Sequence, residues 1–339
     1  MTESTASPLL EVRDLTIEFA TERGVVEAVQ QVSFTVGRGE TLAIVGESGS
    51  GKSVTALSLT RLLPEPPARY KGGSILWKGE EVLTMNARRL QAIRGGQMAY
   101  IFQEPSTSLN PVFTIRNQIA EAIRLHRPDV TDIDAEVVRW LEIVGIVNAA
   151  QRMKDYPHQL SGGMQQRAMI AMALSCQPDL LVADEPTTAL DVTVQAQVLQ
   201  LLRDLQRDFG TAIVLITHDL GVVAGLCEKV MVMYGGRVME HCRADELFTR
   251  ATHPYTVGLL RALPRLDQTE TSLIGIPGNP PNMAYPPSGC AFQERCTMAM
   301  PHCGDAQPPL ASFGEDPSWL RSCYKPVAEV RELREQHNA

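Results

Sequence analysis

No apolar run in this 339-residue chain approaches the ~18 residues a membrane-crossing helix needs; Ala212 to Ile216 is typical of the longest. The opening MTESTASPLL has neither a basic segment nor a long apolar one. The expectation is a chain without a secretory signal, kept in the cytosol. Positive charge is also short: 31 Lys and Arg stand against 39 Asp and Glu, a formal net charge of −8. That balance argues against nucleic acid or anionic lipid as the main partner, because both attract basic surfaces. A place at a membrane would then need another protein to hold it there. The body of the chain is poor in cysteine. Cys176, Cys227 and Cys242 stand singly, and each reads as a small buried hydrophobe. Internal repeats and low-complexity runs are missing. What remains is an ordinary globular composition, 44% apolar and 21% charged, at a length that suits two domains or one with an extension.

Against that background one stretch is sharply defined. Leu42-Ala43-Ile44-Val45 is a short apolar run, and Gly46-Glu47-Ser48-Gly49-Ser50-Gly51-Lys52-Ser53 follows it directly. Val54-Thr55-Ala56-Leu57 then reads as a helix. Strand, glycine-rich turn and Lys-Ser at a helix start make G-x-x-x-x-G-K-[ST] a phosphate cradle. Glycines let consecutive backbone N–H groups turn inward, and the helix start adds unpaired donors and a positive dipole end. Lys52 would reach the β- and γ-phosphates, and the Ser53 hydroxyl would ligate Mg²⁺. The loop specifies a nucleoside triphosphate without specifying its use.

Elsewhere the pattern sets an architecture. Leu10, Val12, Leu15 and Ile17, then Val32, Phe34 and Val36, alternate with polar residues as antiparallel strands with one buried face do. Pro64, Pro66 and Pro67 are expected to end the helix after the cradle. Gly72 to Leu76 reads as a short strand, Met98 to Phe102 as a fully apolar one ending at Gln103, and Ser106 to Pro111 as a polar turn. A helical block follows. Ile115, Ile119, Ala122 and Ile123 share one face; Val137, Val138, Leu141 and Val144 mark a second helix, with Asp132 or Thr131 as cap and Gly145 as stop. Ser161 caps a third that runs to just before Pro178. Leu180 to Ala183, Ala212 to Ile216 and Val230 to Met233 are apolar strands, with a helix face at Val194, Val198, Leu201, Leu202 and Leu205. Continuous apolar strands alternating with helices predict a parallel sheet covered on both faces, the helical block being inserted between its halves. Beyond about Pro264 the composition shifts. Pro277, Pro280, Pro281, Pro286 and Pro287 crowd together with little periodicity, and nearby cysteines offer a staple.

Two further constellations carry chemistry. The strand Leu180 to Ala183 delivers Asp184 and Glu185 at its tip. Asp184 suits contact with Mg²⁺ through its shell, and Glu185 suits a base that orients and deprotonates water; an ordinary polar strand end is the bland reading. Leu160-Ser161-Gly162-Gly163-Met164-Gln165 opens the third helix. Read alone it is either a plain capped helix or a second anion site. Two such helix starts are more than one nucleotide pocket needs.

Together these residues resemble the ATPase subunits of ATP-binding cassette (ABC) transporters over roughly residues 8 to 250. The phosphate loop, Gln103, the Leu160–Gln165 signature, Asp184-Glu185, Ala189-Leu190-Asp191 and His218 occur in that family's order. The resemblance implies an α/β P-loop NTPase cassette: a mostly parallel core sheet, an antiparallel β subdomain, an inserted helical subdomain at roughly 112–165, and a cysteine-rich extension. It implies a domain at 8–264 and an extension at 265–339. It also implies head-to-tail pairing of two cassettes, each ATP lying between one phosphate loop and the other subunit's Ser161, Gly162, Gly163 and Gln165. By the same resemblance ATP contacts run from Gly46 through Val54. Gln103 joins Mg²⁺ and the lytic water to the surface facing the membrane subunits, His218 holds the γ-phosphate with Glu185, and Asp191 works across the dimer. Phe19 stands where the family often places an aromatic under adenine; a core phenylalanine is the other reading.

The edges resemble the oligopeptide/dipeptide import branch. Phe102-Gln103-Glu104-Pro105 with Thr107-Ser108-Leu109-Asn110-Pro111, Tyr156-Pro157-His158-Gln159, and His253-Pro254-Tyr255-Thr256 leading to Leu259-Leu260-Arg261-Ala262-Leu263-Pro264 carry that likeness. It implies two transmembrane permease subunits, a second ATPase subunit and, indirectly, an extracytoplasmic solute-binding protein, with the chain peripheral on the cytoplasmic face. No nucleic acid is implied. The solute is expected to be a di- or oligopeptide, with a nickel complex or glutathione as alternatives and a non-transport ABC ATPase as the other reading. Some relatives hold a [4Fe–4S] cluster on four tail cysteines. Here Cys290, Cys296, Cys303 and Cys323 lack the close pairs of common zinc sites and suit a cubane; zinc and plain thiols remain open, and His302 reads as a neighbour rather than a ligand.

Overall fold

The computed structural model describes residues 7–22, 24–188, 191–263, 275–313 and 316–335. The chain divides into two compact units, each assembled from separate stretches. One comprises Met1–Leu9, Val36–Thr41 and Glu80–Ile216; the other comprises Leu10–Thr35, Leu42–Gly79 and Thr217–Ala339.

The second unit begins with the long antiparallel pair Leu10–Thr21 and Ala68–Trp77, in register from Leu10 opposite Trp77 to Phe19 opposite Ala68. Leu10, Val12, Leu15 and Ile17 are all buried, although the spacing from 12 to 15 breaks a strict period of two. A bulge repairs it. The register shifts between Arg13 and Thr16, with Asp14 at φ 46°, so one extra residue resets which side chains face inward. Gly73 faces this bulge at φ 90°, where a Cβ would lie 2.5 Å from the Arg13 carbonyl oxygen.

The same unit holds a mixed sheet. Thr41–Val45, buried throughout, pairs in parallel with Lys229–Tyr234. A turn at Gly235 and Gly236, both at positive φ, returns the chain as Arg237–Arg243, antiparallel to Lys229–Tyr234. The tail then adds two strands: Asp316–Arg321 pairs with Arg237–Arg243, and Ala311–Phe313 pairs with Asp316–Arg321. No disulfide takes part in fastening the tail. All seven cysteines are free, and the tail is held by strand pairing and by a small core. In that core Val330 of the helix Val327–Glu335 packs with Ala251 and Val257, beside Leu260, Met298 and Leu333.

Glu240 sits at the centre of this junction, fully buried. Its carboxylate accepts from Thr252 N (2.8 Å), Thr252 Oγ1 (2.6 Å), His253 N (3.2 Å) and the tail's Trp319 Nε1 (3.0 Å). A buried carboxylate is tolerated only when its lone pairs are filled this way.

In the first unit Met98–Ile101, Leu180–Asp184 and Ala212–Thr217 run parallel as neighbours, Leu180 opposite both Met98 and Ala212. Their continuous apolar runs match a sheet buried on both faces. The helices Ile115–His126, Ile133–Ile143 and Gly162–Leu174 pack on one another in the same unit. Ile115, Ile119 and Ile123 are buried as the spacing requires, but Ala120 joins them in place of Ala122, and Trp140 fills the place given to Val138. Asp132, not Thr131, caps the second helix, accepting from Ala135 N at 3.0 Å.

The helix after the glycine loop ends differently from expectation. It spans Lys52–Ser58, and the prolines come too late to stop it. Arg61 takes a left-handed conformation (φ 53°), Leu62 N donates to Leu57 O at 2.9 Å and Arg61 N to Ser58 O at 3.0 Å. These are the paired bonds of a Schellman stop, here closed by an arginine rather than a glycine.

Candidate nucleotide-binding and hydrolysis residues

The buried strand Thr41–Val45 delivers the loop at Gly46, and the helix Lys52–Ser58 receives it with Gly51 as N-cap and no side-chain cap bond. Its first N–H groups are thus not claimed by a capping side chain. Neither flanking glycine can be replaced. A Cβ on Gly46 would collide with the Met233 carbonyl, and one on Gly51 (φ 97°) would lie 2.5 Å from the Ala28 carbonyl oxygen. Lys52, 6% exposed, donates from Nζ to Gly46 O (2.8 Å) and Glu47 O (2.9 Å). The ammonium thus lies folded over the loop's own carbonyls. Ser48, Gly49 and Ser53 are exposed, Val54 is half-buried, and Ser50 is buried.

Two residues outside the motif grip this loop. Glu47 N donates to Tyr255 Oη at 3.0 Å, and the Glu47 carboxylate pairs with Arg295 at 2.7 Å. The sequence used His253-Pro254-Tyr255-Thr256 only as a marker of a branch, and Arg295 carried no signal; neither contact has a local pattern. His253 is fully buried, accepts from Tyr255 N at Nδ1 (3.1 Å), and lies 3.2 Å from the Ser322 carbonyl through Nε2. Burial, aided by Arg321, pushes its pKa from 6.5 down to about 3. The folded ring therefore refuses a proton that the unfolded chain takes near 6.5, so stability falls as pH drops from about 6.5 towards about 3. Thermal melts between pH 7.5 and 4.5 should show this slope, and His253→Gln should flatten it.

The first unit brings together Gln103, Glu185 and Thr188. Glu185 follows the strand Leu180–Asp184 at φ 47°, a conformation costly for a residue with a side chain and characteristic of functional positions. Its N–H is tied to Ile216 O at 2.9 Å. Its Oε2 accepts from Gln103 Nε2 (3.1 Å) and Thr188 Oγ1 (2.8 Å). Both side chains thus hold the carboxylate through Oε2. Thr188 was not singled out in the sequence. Asp184 stands half-buried at the strand end.

Ser161 caps the helix Gly162–Leu174, its Oγ accepting from Met164 N at 3.4 Å. Ser161 and Gly162 are exposed; a Cβ on Gly162 would meet nothing, while one on Gly163 would press on Val194 at 3.2 Å. Gln165 spends its amide on Pro157 O (2.9 Å) and Leu160 O (3.2 Å), which fixes the turn ahead of the helix. Asp191 caps Val192–Phe209 by accepting from Val194 N at 2.9 Å; Ala189 and Leu190 lie outside the described residues. His218 is exposed just past Ala212–Thr217. Phe19 is half-buried rather than a core side chain.

The four tail thiols line one small enclosed cavity with His253, of about 20 Å³, room for roughly one water. Burial pushes Cys290 and Cys296 up to about 11 and raises Cys323, which keeps them as thiols near neutral pH. Among the described residues no group of three or more His, Cys, Asp or Glu could hold a metal ion. The four thiols are a soft donor set facing one cavity, and beyond that the cluster expectation finds no support. Ser53, Gln103 and Asp184 each carry a hard oxygen of the kind Mg²⁺ prefers.

Comparison with known proteins agrees with this anatomy. The ABC transporter family model matches residues 29–188, and the model "Oligopeptide/dipeptide transporter, C-terminal region" matches residues 239–303. The oligopeptide transport ATP-binding protein OppD of Salmonella typhimurium is 53% identical over 326 residues, covering 96% of each chain. The dipeptide transport ATP-binding protein DppD of Bacillus subtilis is 46% identical over 301 residues, 88% of this chain and 90% of that one. A dimeric ATP-binding cassette in a post-hydrolysis state bound to ADP and Pi superposes with a TM-score of 0.62 at 25% identity, covering 69% of this chain and 98% of that one. The cassette cbiO1 of Clostridium perfringens gives 0.61 at 27% identity, covering 72% and 91%. The chain belongs to the ABC transporter ATPases, in the group that carries the oligopeptide/dipeptide transporter C-terminal region.

Proposed function

We propose that this chain is the ATP-hydrolysing subunit of an importer for di- and oligopeptides. The observation that carries the reading is a full-length match to transport ATP-binding proteins, joined to a strained Glu185 held by Gln103 and Thr188. In this reading the backbone from Gly46 to Val54 cradles the triphosphate, and Lys52 leaves the loop carbonyls to meet the β- and γ-phosphates. Ser53, Gln103 and Asp184 would hold Mg²⁺, which would supply charge neutralisation at the phosphates. Glu185 takes the proton from the attacking water, Gln103 and Thr188 orient its carboxylate, and His218 holds the γ-phosphate end. Phe19 lies under the adenine. Ser161, Gly162 and Gly163 complete the site of a partner ATPase subunit, whose pairing Asp191 supports, and Gln165 keeps their turn in shape.

Residues 8–264 form the ATPase domain, with the helical subdomain at roughly 112–165, and 265–339 the extension. Among the described residues no helix is long and apolar enough to cross a membrane. In this reading the chain docks on two permease subunits at the cytoplasmic face, with a solute-binding protein acting on the far side, as the match to oligopeptide transport ATP-binding proteins supports. Co-expression with the permease subunits and the second ATPase tests this. ATP turnover of the purified assembly should rise several-fold when peptide-loaded binding protein is added. Stimulation by a nickel complex or glutathione, and none by peptides, would overturn the peptide assignment.

A further inference from the structure

The tail is more than an appendage to the sheet edge, because it reaches the phosphate loop. Arg295 is almost fully buried at its side chain (7% exposed) and spends every nitrogen. Nε donates to Pro277 O (2.8 Å), Nη2 to Ile276 O (3.2 Å), and Nη1 to Glu47 Oε2 (2.7 Å) and Tyr234 Oη (3.0 Å). Its guanidinium also lies 5.6 Å from the Tyr234 ring centroid. Tyr234 packs against Tyr255 at 4.7 Å and Phe292 at 5.3 Å, and Tyr255 Oη receives the Glu47 N–H. Both the main chain and the side chain of the loop's second residue are therefore gripped by residues between 234 and 295. Tyr255 and Arg295 both fall inside the stretch matched by the C-terminal-region model, 239–303.

Electrostatics gives this grip a direction. A bare carboxylate on a loop that must bind a triphosphate repels it, and the repulsion is strong where water is partly excluded. Arg295 neutralises Glu47 from behind, and its planar fork, locked by two carbonyls, fixes where that charge sits. We propose that Arg295 is a positioning residue for nucleotide: it acts through Glu47 to hold the phosphate loop in its binding shape and to cancel its charge, so the C-terminal extension sets ATP affinity. This rests on the reading of Gly46–Ser53 as the ATP cradle.

The test is a double-mutant cycle on the full chain, with binding of fluorescent trinitrophenyl-ATP and Mg²⁺ measured at low and moderate salt. Arg295→Met should weaken binding about tenfold, an exposed like charge being left near the phosphates, and more at low salt. Glu47→Gln should weaken it only about two- to threefold, since the charge left behind is the Arg295 cation, which does not repel the phosphates. The double variant should return close to Glu47→Gln, and Arg295→Lys should recover part of the loss. In the assembled transporter Arg295→Met should raise KM for ATP while kcat stays within about twofold. A double variant no better than Arg295→Met, or Arg295→Met binding as the wild type does, would overturn the proposal. Melting curves separate loss of folding from loss of affinity: only the charge account predicts rescue by removing a second native group. Wild-type chain that binds no nucleotide would instead overturn the reading of the loop.

Discussion

Replacing Glu185 by Gln is expected to cut ATP hydrolysis by about 10²- to 10⁴-fold while ATP binding stays within a few-fold of wild type. The substitution keeps size and hydrogen bonding but removes the basic oxygen. Oε2 already accepts from Gln103 and Thr188, so an amide placed there can still meet Thr188 through its carbonyl. The left-handed backbone at Glu185 (φ 47°) is retained in the variant. Single-turnover hydrolysis measured beside equilibrium nucleotide binding separates the two effects. Turnover near the wild-type rate would remove Glu185 from the chemistry and shift attention to another acceptor.

The second large effect concerns stability. Glu240→Ala leaves the donors of Thr252 N, Thr252 Oγ1, His253 N and Trp319 Nε1 facing a buried void. Each unsatisfied buried donor costs ~1–3 kcal/mol, so a loss of about 4 kcal/mol or more is expected. The effect should be local at first, because the carboxylate joins the strand Arg237–Arg243 to the segment before Pro254–Arg261 and to the tail strand Asp316–Arg321. Trp319 fluorescence should report the tail's release below the main transition in a urea titration. A single unchanged transition would show that Glu240 contributes little to docking the tail.

Much of the nucleotide machinery was legible because its signals are local. The glycine loop declares itself through an apolar strand before it and Lys-Ser after it. Asp184-Glu185 is conspicuous because two acids end a buried strand, and Ser161 caps its helix as the spacing requires. The break in alternation between Val12 and Leu15 passed as plain alternation in the sequence, and only the strand register shows the bulge that keeps both residues inside. The failures have different causes. The helix after the loop stops at Ser58 because Arg61 adopts a conformation usually left to glycine, and composition gives no hint of that. The tail strands Ala311–Phe313 and Asp316–Arg321 have little periodicity; they pair with each other, and Asp316–Arg321 joins an edge more than seventy residues earlier in the chain. Arg295 and Tyr255 matter through partners that only the fold brings near, Arg295 and Glu47 being 248 residues apart in sequence, whereas Thr188 reaches Glu185 three residues away through a local turn that carried no pattern. For the tail cysteines the expectation of a cluster came from spacing and resemblance, and what the fold adds is that all four line one cavity.

The central claim, that this chain powers peptide import by hydrolysing ATP, is tested most directly by uptake into proteoliposomes. The chain would be reconstituted with its permease subunits and partner ATPase, with ATP on the side the ATPases occupy and peptide-loaded binding protein on the other. Labelled tripeptide should accumulate only with hydrolysable ATP, and assemblies carrying Glu185→Gln should lose nearly all of that uptake. Equal accumulation with a non-hydrolysable analogue, or undiminished uptake by Glu185→Gln, would contradict the account.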